Sequence, residues 1–133
     1  MGTPRLRDRV DVVIIGAGLA GLSLAVRLAE GRFAGLRVLL LEAGSGPGQP
    51  KTWCNWALGR HPFRDSVCRS WDGWRVASHR DAVTVRSTRV RYEAIRSEDL
   101  RRSALARLAL ADHVQFHAGV PVDGIEACPG GHR

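Results

Sequence analysis

Cysteine is scarce in this sequence and irregularly placed. The three residues are Cys54, Cys68 and Cys128, an odd number with no Cys-x-x-Cys pair. That spacing offers neither a disulfide framework nor a zinc site, and it points to reduced thiols in a cytoplasmic setting. Lysine is rarer still, with Lys51 alone among 20 basic residues. The formal charge of +7 therefore comes from scattered arginines. With no basic run and no nucleic-acid motif, a nucleic-acid partner is not expected. Long apolar runs are also missing, since none reaches the ~18 residues of a membrane span. Met1 to Arg9 is polar and basic, and the apolar stretch after it is broken by glycines, so no signal peptide is read there. No internal repeat and no low-complexity segment stands out.

The remaining composition is that of one globular domain. At 133 residues, 44% hydrophobic and 25% charged, the chain can bury a core. Its organising stretch runs over residues 10–42. Val12 to Ile15 are a continuous apolar run, expected of a parallel strand buried on both faces. Gly16-Ala17-Gly18-Leu19-Ala20-Gly21 follows, then a helical segment, then the apolar run Val38 to Leu41 ending in Glu42. This is a βαβ unit with the dinucleotide fingerprint.

Each part has a physical role. Gly16 allows the tight turn out of the strand, Gly18 lets a diphosphate approach bare backbone, and Gly21 lets the helix pack close to the strands. The helix begins in this turn, so its unpaired N–H groups and positive dipole end face the phosphates. Leu22, Ala25, Leu28 and Ala29 recur at helical spacing as the sheet-facing stripe, and Gly31 is the expected stop. Glu42 lies 21 positions after Gly21, near the ~20 the motif expects, where its carboxylate can accept from a ribose hydroxyl. An acid there also repels a 2′-phosphate, which disfavours tightly held NADP at this site.

Residues 43–50 are rich in Gly, Pro and Ser and read as a loop. Trp53, Trp56, Trp71 and Trp74 then fall within 22 residues. They are a wall for a large apolar ligand, or a surface that dips into a membrane, or ordinary core, and the pattern alone favours core. Trp74 to Ser78 and Ala82 to Tyr92 read as a hairpin closed near Arg80-Asp81. The change of apolar phase between Val85 and Val90 implies a bulge or bend around Arg86 to Thr88. Arg86, Arg89 and Arg91 read as solvated strand residues rather than phosphate ligands.

Ser97 to Ala111 has the pattern of a second helix, with Ser97 as N-cap and an apolar face of Leu100, Ala104, Leu105 and Leu108. Glu98 and Asp99 suit its positive end. A strand at Val114 to Phe116 and the segment Val120 to Ile125 follow. His113 and His117 are four apart but have no third ligand at useful spacing, so no metal site is read. The fold class expected is α/β: a Rossmann-like FAD/NAD(P)-binding parallel sheet with a small antiparallel excursion. It lacks the second half that a doubly wound sheet needs, so it is incomplete at the C-terminus and reads as a fragment. In that reading residues 1–133 are the N-terminal part of a single domain. The fingerprint covers 10–42, a Trp-rich insertion 51–92, and a second helix and strand 97–126.

These residues together resemble a known family. Asp11 to Glu42 is similar to the N-terminal fingerprint of FAD-dependent oxidoreductase-like proteins, including Ala25 four residues after the last glycine. Lys51-Thr52-Trp53-Cys54-Asn55-Trp56 resembles the His-Thr-Trp segment that follows the second strand in bacterial lycopene cyclases. Trp71-Asp72-Gly73-Trp74-Arg75-Val76 resembles their next aromatic block. Tyr92-Glu93-Ala94-Ile95-Arg96-Ser97 resembles their Tyr-x-x-Ile-x-Ser lead into the second long helix. The likeness runs from about residue 10 to 126. It departs at Lys51, where His is frequent, and at Asn55-Trp56, in place of a Phe-containing pair.

The resemblance implies an isomerase of the intramolecular-lyase type, which closes the acyclic ends of lycopene or a related carotenoid with no net redox change. It implies reduced FAD, with NAD(P)H as electron donor, and a cytoplasmic protein peripheral to the membrane. It places FAD contacts at Gly16, Ala17, Gly18, Leu19, Ala20, Gly21 and Glu42, and at Val122 through main-chain atoms near the adenine. Thr52 and Ser97 are weaker candidates. The family's acid–base residues have no counterpart here, so no catalytic residue is assigned, and this length alone is expected to be inactive. The alternatives are another FAD enzyme (a monooxygenase, halogenase or isoprenoid reductase) and a non-catalytic nucleotide-binding chain.

Overall fold

A computed structural model describes residues 9–46 and 48–132; the calls on Met1 to Asp8 and on Pro47 lie outside the described residues. By internal contacts the chain divides into two compact units, one reaching to Gly48 and resuming at Ala106, the other running Gln49–Leu105.

The first unit is built on a parallel sheet. Strand β1 (Val12–Ile15) leads through a glycine turn into helix α1 (Leu19–Leu28), then to β2 (Val38–Glu42). Strand β8 (Val114–Ala118) pairs with β2 on its other edge, giving the order β1-β2-β8. All three run parallel, with Val12 opposite Val38 and Val38 opposite Val114. Leu22, Ala25 and Val26 are the buried residues of α1. Val26 thus takes the place expected of Leu28 and Ala29 in the stripe. The helix ends at Leu28 with Ala29 as its cap, and Gly31 opens a short 3-10 turn instead of stopping the helix. Strand β2 is buried throughout, from Val38 to Leu41. Strand β1 is not buried on both faces as its apolar run suggested: Ile14 is buried, but Val13 and Ile15 are 49% and 51% exposed. They lie opposite Leu39 and Leu41, on the sheet face away from Ile14.

The two strands of the βαβ unit are tied at their starts. The Asp11 carboxylate accepts from Arg37 N–H (2.8 Å), Nε (3.0 Å) and Nη2 (2.8 Å). The Arg37 guanidinium and main-chain N–H hold the Asp11 carboxyl well below the usual carboxylate range. A second tie joins α1 to β8, where His113 Nε2 lies 2.8 Å from the Leu28 carbonyl.

The second unit is antiparallel. Strands β3 (Thr52–Ala57), β4 (Val67–Trp71) and β7 (Arg91–Arg96) form a sheet with β7 in the middle. Strands β5 (Gly73–Ala77) and β6 (Ala82–Arg86) form a separate hairpin. The expected single strand from Ala82 to Tyr92 is therefore two strands in two sheets. No bulge links them. Ser87 Oγ accepts from Arg89 N–H (3.2 Å) and Val90 N–H (2.9 Å), and this turn resets the apolar phase. Helix α2 covers Ser97–Leu108, shorter than the expected Ser97 to Ala111. Its N-terminal serine is engaged with β3: Ser97 Oγ accepts Lys51 N–H at 2.9 Å, and Ser97 N–H donates to the Lys51 carbonyl at 2.8 Å. Two short strands, β9 (Ala127–Cys128) and β10 (Gly131–His132), form a small antiparallel pair.

Candidate nucleotide site

The glycine turn at the carboxyl end of β1 has the geometry the motif demands. Gly16 has φ +95°, a conformation that side chains disfavour, and its N–H donates to the Leu41 carbonyl at 2.7 Å. Gly18 is the N-cap of α1 in an extended conformation, and its carbonyl takes the first helical bond, from Leu22 N–H at 2.9 Å. A Cβ on Gly18 would meet no atom within 4 Å, so the backbone there is bare on its outer side. A Cβ on Gly21 would collide with the Gly16 carbonyl and lie 3.3 Å from the Ile14 side chain. The first glycine thus shapes the turn, the second leaves an approach open, and the third brings helix and strand together. The N–H groups of Leu19, Ala20 and Gly21 precede the first intrahelical bond and lie at the positive end of α1. This combination can hold a diphosphate.

Glu42 closes the site from the end of β2. Its Oε2 accepts the Ala17 N–H at 2.7 Å and its Oε1 accepts the Gly44 N–H at 3.0 Å. The Ala17 N–H is therefore directed at Glu42 and away from a phosphate, unlike the backbone contact expected of it. The carboxylate retains lone pairs that a ribose hydroxyl can reach. The main chain extends the connection: Val120 N–H donates to the Glu42 carbonyl (2.9 Å) and Gly119 N–H to the Gly44 carbonyl (3.1 Å). One residue thus links the glycine turn, the loop after β2 and the exit of β8. No signal in the sequence announced this bridging, because spacing locates an acid but not its main-chain partners.

Val122 lies beyond β8, not within the strand that the sequence led us to expect. Strand β8 ends at Ala118, and Gly119 (φ +74°) turns the chain out of it. Val122 follows in irregular, exposed chain. Thr52 and Ser97 belong to the antiparallel unit, with Thr52 opposite Arg96 at the end of β3. Sequence reasoning missed the His61–Glu93 pair there. Glu93 is buried on β7, and its Oε2 lies 2.8 Å from His61 Nε2. His61 Nδ1 accepts Phe63 N–H at 3.2 Å, which places the ring proton on Nε2, facing the carboxylate.

The tryptophans are not the ordinary core that their spacing favoured. Trp56 and Trp71 each lie directly opposite Tyr92, on β3 and β4 respectively, and are 50% and 43% exposed. Trp56 and Tyr92 ring centroids are 4.4 Å apart, those of Trp71 and Tyr92 6.0 Å. Trp74 meets Trp56 edge-on at 4.2 Å. A side-chain hydrogen bond with Cys54 pushes the Tyr92 phenol above its usual range, helped by desolvation.

Strand order, glycine turn and terminal acid define the class: a Rossmann-like α/β fold with a small antiparallel excursion. PqsL of Pseudomonas aeruginosa, a probable FAD-dependent monooxygenase, shares this fold. The match has a TM-score of 0.63 at 17% identity, covering 88% of this chain and 35% of that one. The family model described as lycopene cyclase protein matches residues 11–133, and the chain belongs to that family. Among curated relatives, lycopene beta-cyclase of Pseudescherichia vulneris is 35% identical over 71 residues, covering 50% of this chain and 18% of its own length. The FAD-dependent monooxygenase ntnJ of a Nectria species is 31% identical over 127 residues, covering 86% of this chain and 30% of its own length. The chain thus spans less than a third of the length of these curated relatives.

Proposed function

We propose that residues 1–133 are the N-terminal, FAD-binding part of an enzyme that cyclises the ends of lycopene or a related carotenoid. The observation that supports this best is the family match over residues 11–133, on a chain whose glycine turn and acid suit a dinucleotide. FAD is also the cofactor named for ntnJ, which aligns over 86% of the chain. In this reading the diphosphate rests on the backbone at Gly18 and the N–H groups of Leu19, Ala20 and Gly21. Glu42 accepts from the ribose, Gly16 and Ala17 shape the turn beneath, and main-chain atoms near Val122 meet the adenine. When bound, reduced FAD, replenished by NAD(P)H, supplies an electron-rich ring beside a cationic substrate.

The carbon chemistry is an isomerisation. A proton adds to a terminal double bond, the resulting cation is attacked by a second double bond to form the ring, and a proton leaves. Atoms and electrons balance without an oxidant. No residue of this chain is assigned to the proton transfers, and the chain alone is proposed to be inactive. The substrate dissolves in bilayers, so the working protein is placed at the cytoplasmic membrane surface.

Two measurements test the reading. FAD added to the purified chain should show quenched flavin fluorescence; an unchanged signal at high micromolar FAD rejects the cofactor assignment. The complete reading frame containing this chain, given lycopene and reduced FAD, should yield ringed product. An oxygenated product with no ring would instead favour a monooxygenase, the reading that ntnJ supports.

A further inference from the structure

The antiparallel unit presents a continuous apolar surface that no reading above uses. Along the three-stranded sheet, Trp56, Tyr92 and Trp71 form a row across β3, β7 and β4. The hairpin extends it. Trp74 lies opposite Val85 and Val76 opposite Val83, so these four share one hairpin face. Trp74 joins that face to the row through Trp56. Val76 and Val83 are 65% and 60% exposed, unusual for β-branched residues in paired strands. The other hairpin face carries Arg75, Thr84 and Arg86. The hairpin is thus amphipathic, with aromatic rings at its base.

Charge identifies the occupant. Residues 69–96 contain Arg69, Arg75, Arg80, Arg86, Arg89, Arg91 and Arg96, against Asp72, Asp81 and Glu93. Glu93 is buried beside His61, which leaves two exposed acids among seven arginines. An apolar face of Trp, Tyr and Val bordered by arginine suits the interface of an anionic bilayer. The rings there sit at headgroup depth, the aliphatic groups enter the acyl boundary, and the guanidinium groups meet lipid phosphates. A single-stranded nucleic acid would use the rings and the arginines but gains nothing from exposed Val76 and Val83. We propose that the β5–β6 hairpin and the Trp56–Tyr92–Trp71 row form a docking face for anionic phospholipid membranes. This rests on the reading that the protein works at a bilayer, and it names the surface and the lipid charge.

The test is sedimentation of the 133-residue chain with vesicles, without flavin or carotenoid. Vesicles of phosphatidylglycerol and phosphatidylcholine should pull the chain down, and phosphatidylcholine alone should bind it at least about tenfold more weakly. Tryptophan emission should shift to the blue on binding and be quenched by lipids brominated near the headgroup. The exposed pair Val76→Ser/Val83→Ser should weaken binding roughly tenfold or more while circular dichroism stays unchanged. A chain that remains in the supernatant with anionic vesicles overturns the proposal. So does equal binding by the double variant, or a patch covered by self-association in ultracentrifugation. An oligonucleotide that binds where vesicles do not also overturns it. Flavin binding is read in a separate experiment, so a failure here is distinct from a failure of the cofactor reading.

Discussion

Glu42 Oε2 accepts the Ala17 N–H at 2.7 Å, across 25 residues of sequence, and fixes the end of β2 to the turn after β1. The acid that the fingerprint assigns to a ribose therefore has structural work before any nucleotide arrives. Replacing it should disturb the turn as well as the affinity. Glu42→Ala removes the acceptor for two main-chain N–H groups, at a cost of about 2 kcal/mol. Urea unfolding measures that loss, and the Ala17 and Gly44 amides should exchange with solvent faster than in the parent. If both amides keep their protection, the bridging role is wrong.

Gly18 and Gly21 should separate binding from folding. A methyl at Gly18 meets open space, so Gly18→Ala should leave the melting temperature nearly unchanged. The same methyl sits where a diphosphate approaches, so flavin affinity should fall by tenfold or more. Gly21→Ala drives a methyl into the Gly16 carbonyl and should cost about 3 kcal/mol or prevent folding. Thermal melts and fluorescence titration of the two variants check the contrast.

Asp11 gives the first unit an acid-sensitive tie. Its carboxyl is held below its ordinary value of 3.8 by Arg37, so folding favours the ionised form. The sign follows directly: the contribution is complete above that ordinary value and fades as pH falls toward the depressed native value. Asp11→Asn should lower stability at pH 7, and the gap from the parent should narrow below about pH 4. Denaturant titrations at pH 7 and pH 3 measure it, and a gap of constant size would refute the assignment.

His61→Ala should be more damaging than its partial exposure suggests. It leaves the Glu93 carboxylate buried without its imidazole, at a cost of about 3 kcal/mol. Adding Glu93→Gln removes the charge and should recover part of that loss. Urea unfolding of the single and double variants tests the coupling, and strict additivity would show that the pair is not energetically linked.

The parallel core was legible in the sequence because each element there carries a local signal. The apolar run of β2, the three glycines and Glu42 all fell where their spacing put them. Other features depend on partners that local pattern cannot name. The exposure of Val13 and Ile15 reflects what does and does not cover one sheet face, and an apolar run looks the same in either case. The break at Ser87 was visible as a phase change, yet a bulge and a turn between two sheets leave the same trace. Trp spacing suggested core, but cross-strand register placed Trp56 and Trp71 on the same side as Tyr92, on an open face. Glu93 is the reverse case, a charged residue whose burial depends on a histidine 32 positions away.

The β5–β6 hairpin pairs by main chain only with itself. It is consequently a cassette: both arms can grow or shrink by two residues without moving the register of any other strand. Reach beyond the sheet can then be tuned by evolution or by design, independently of the glycine turn.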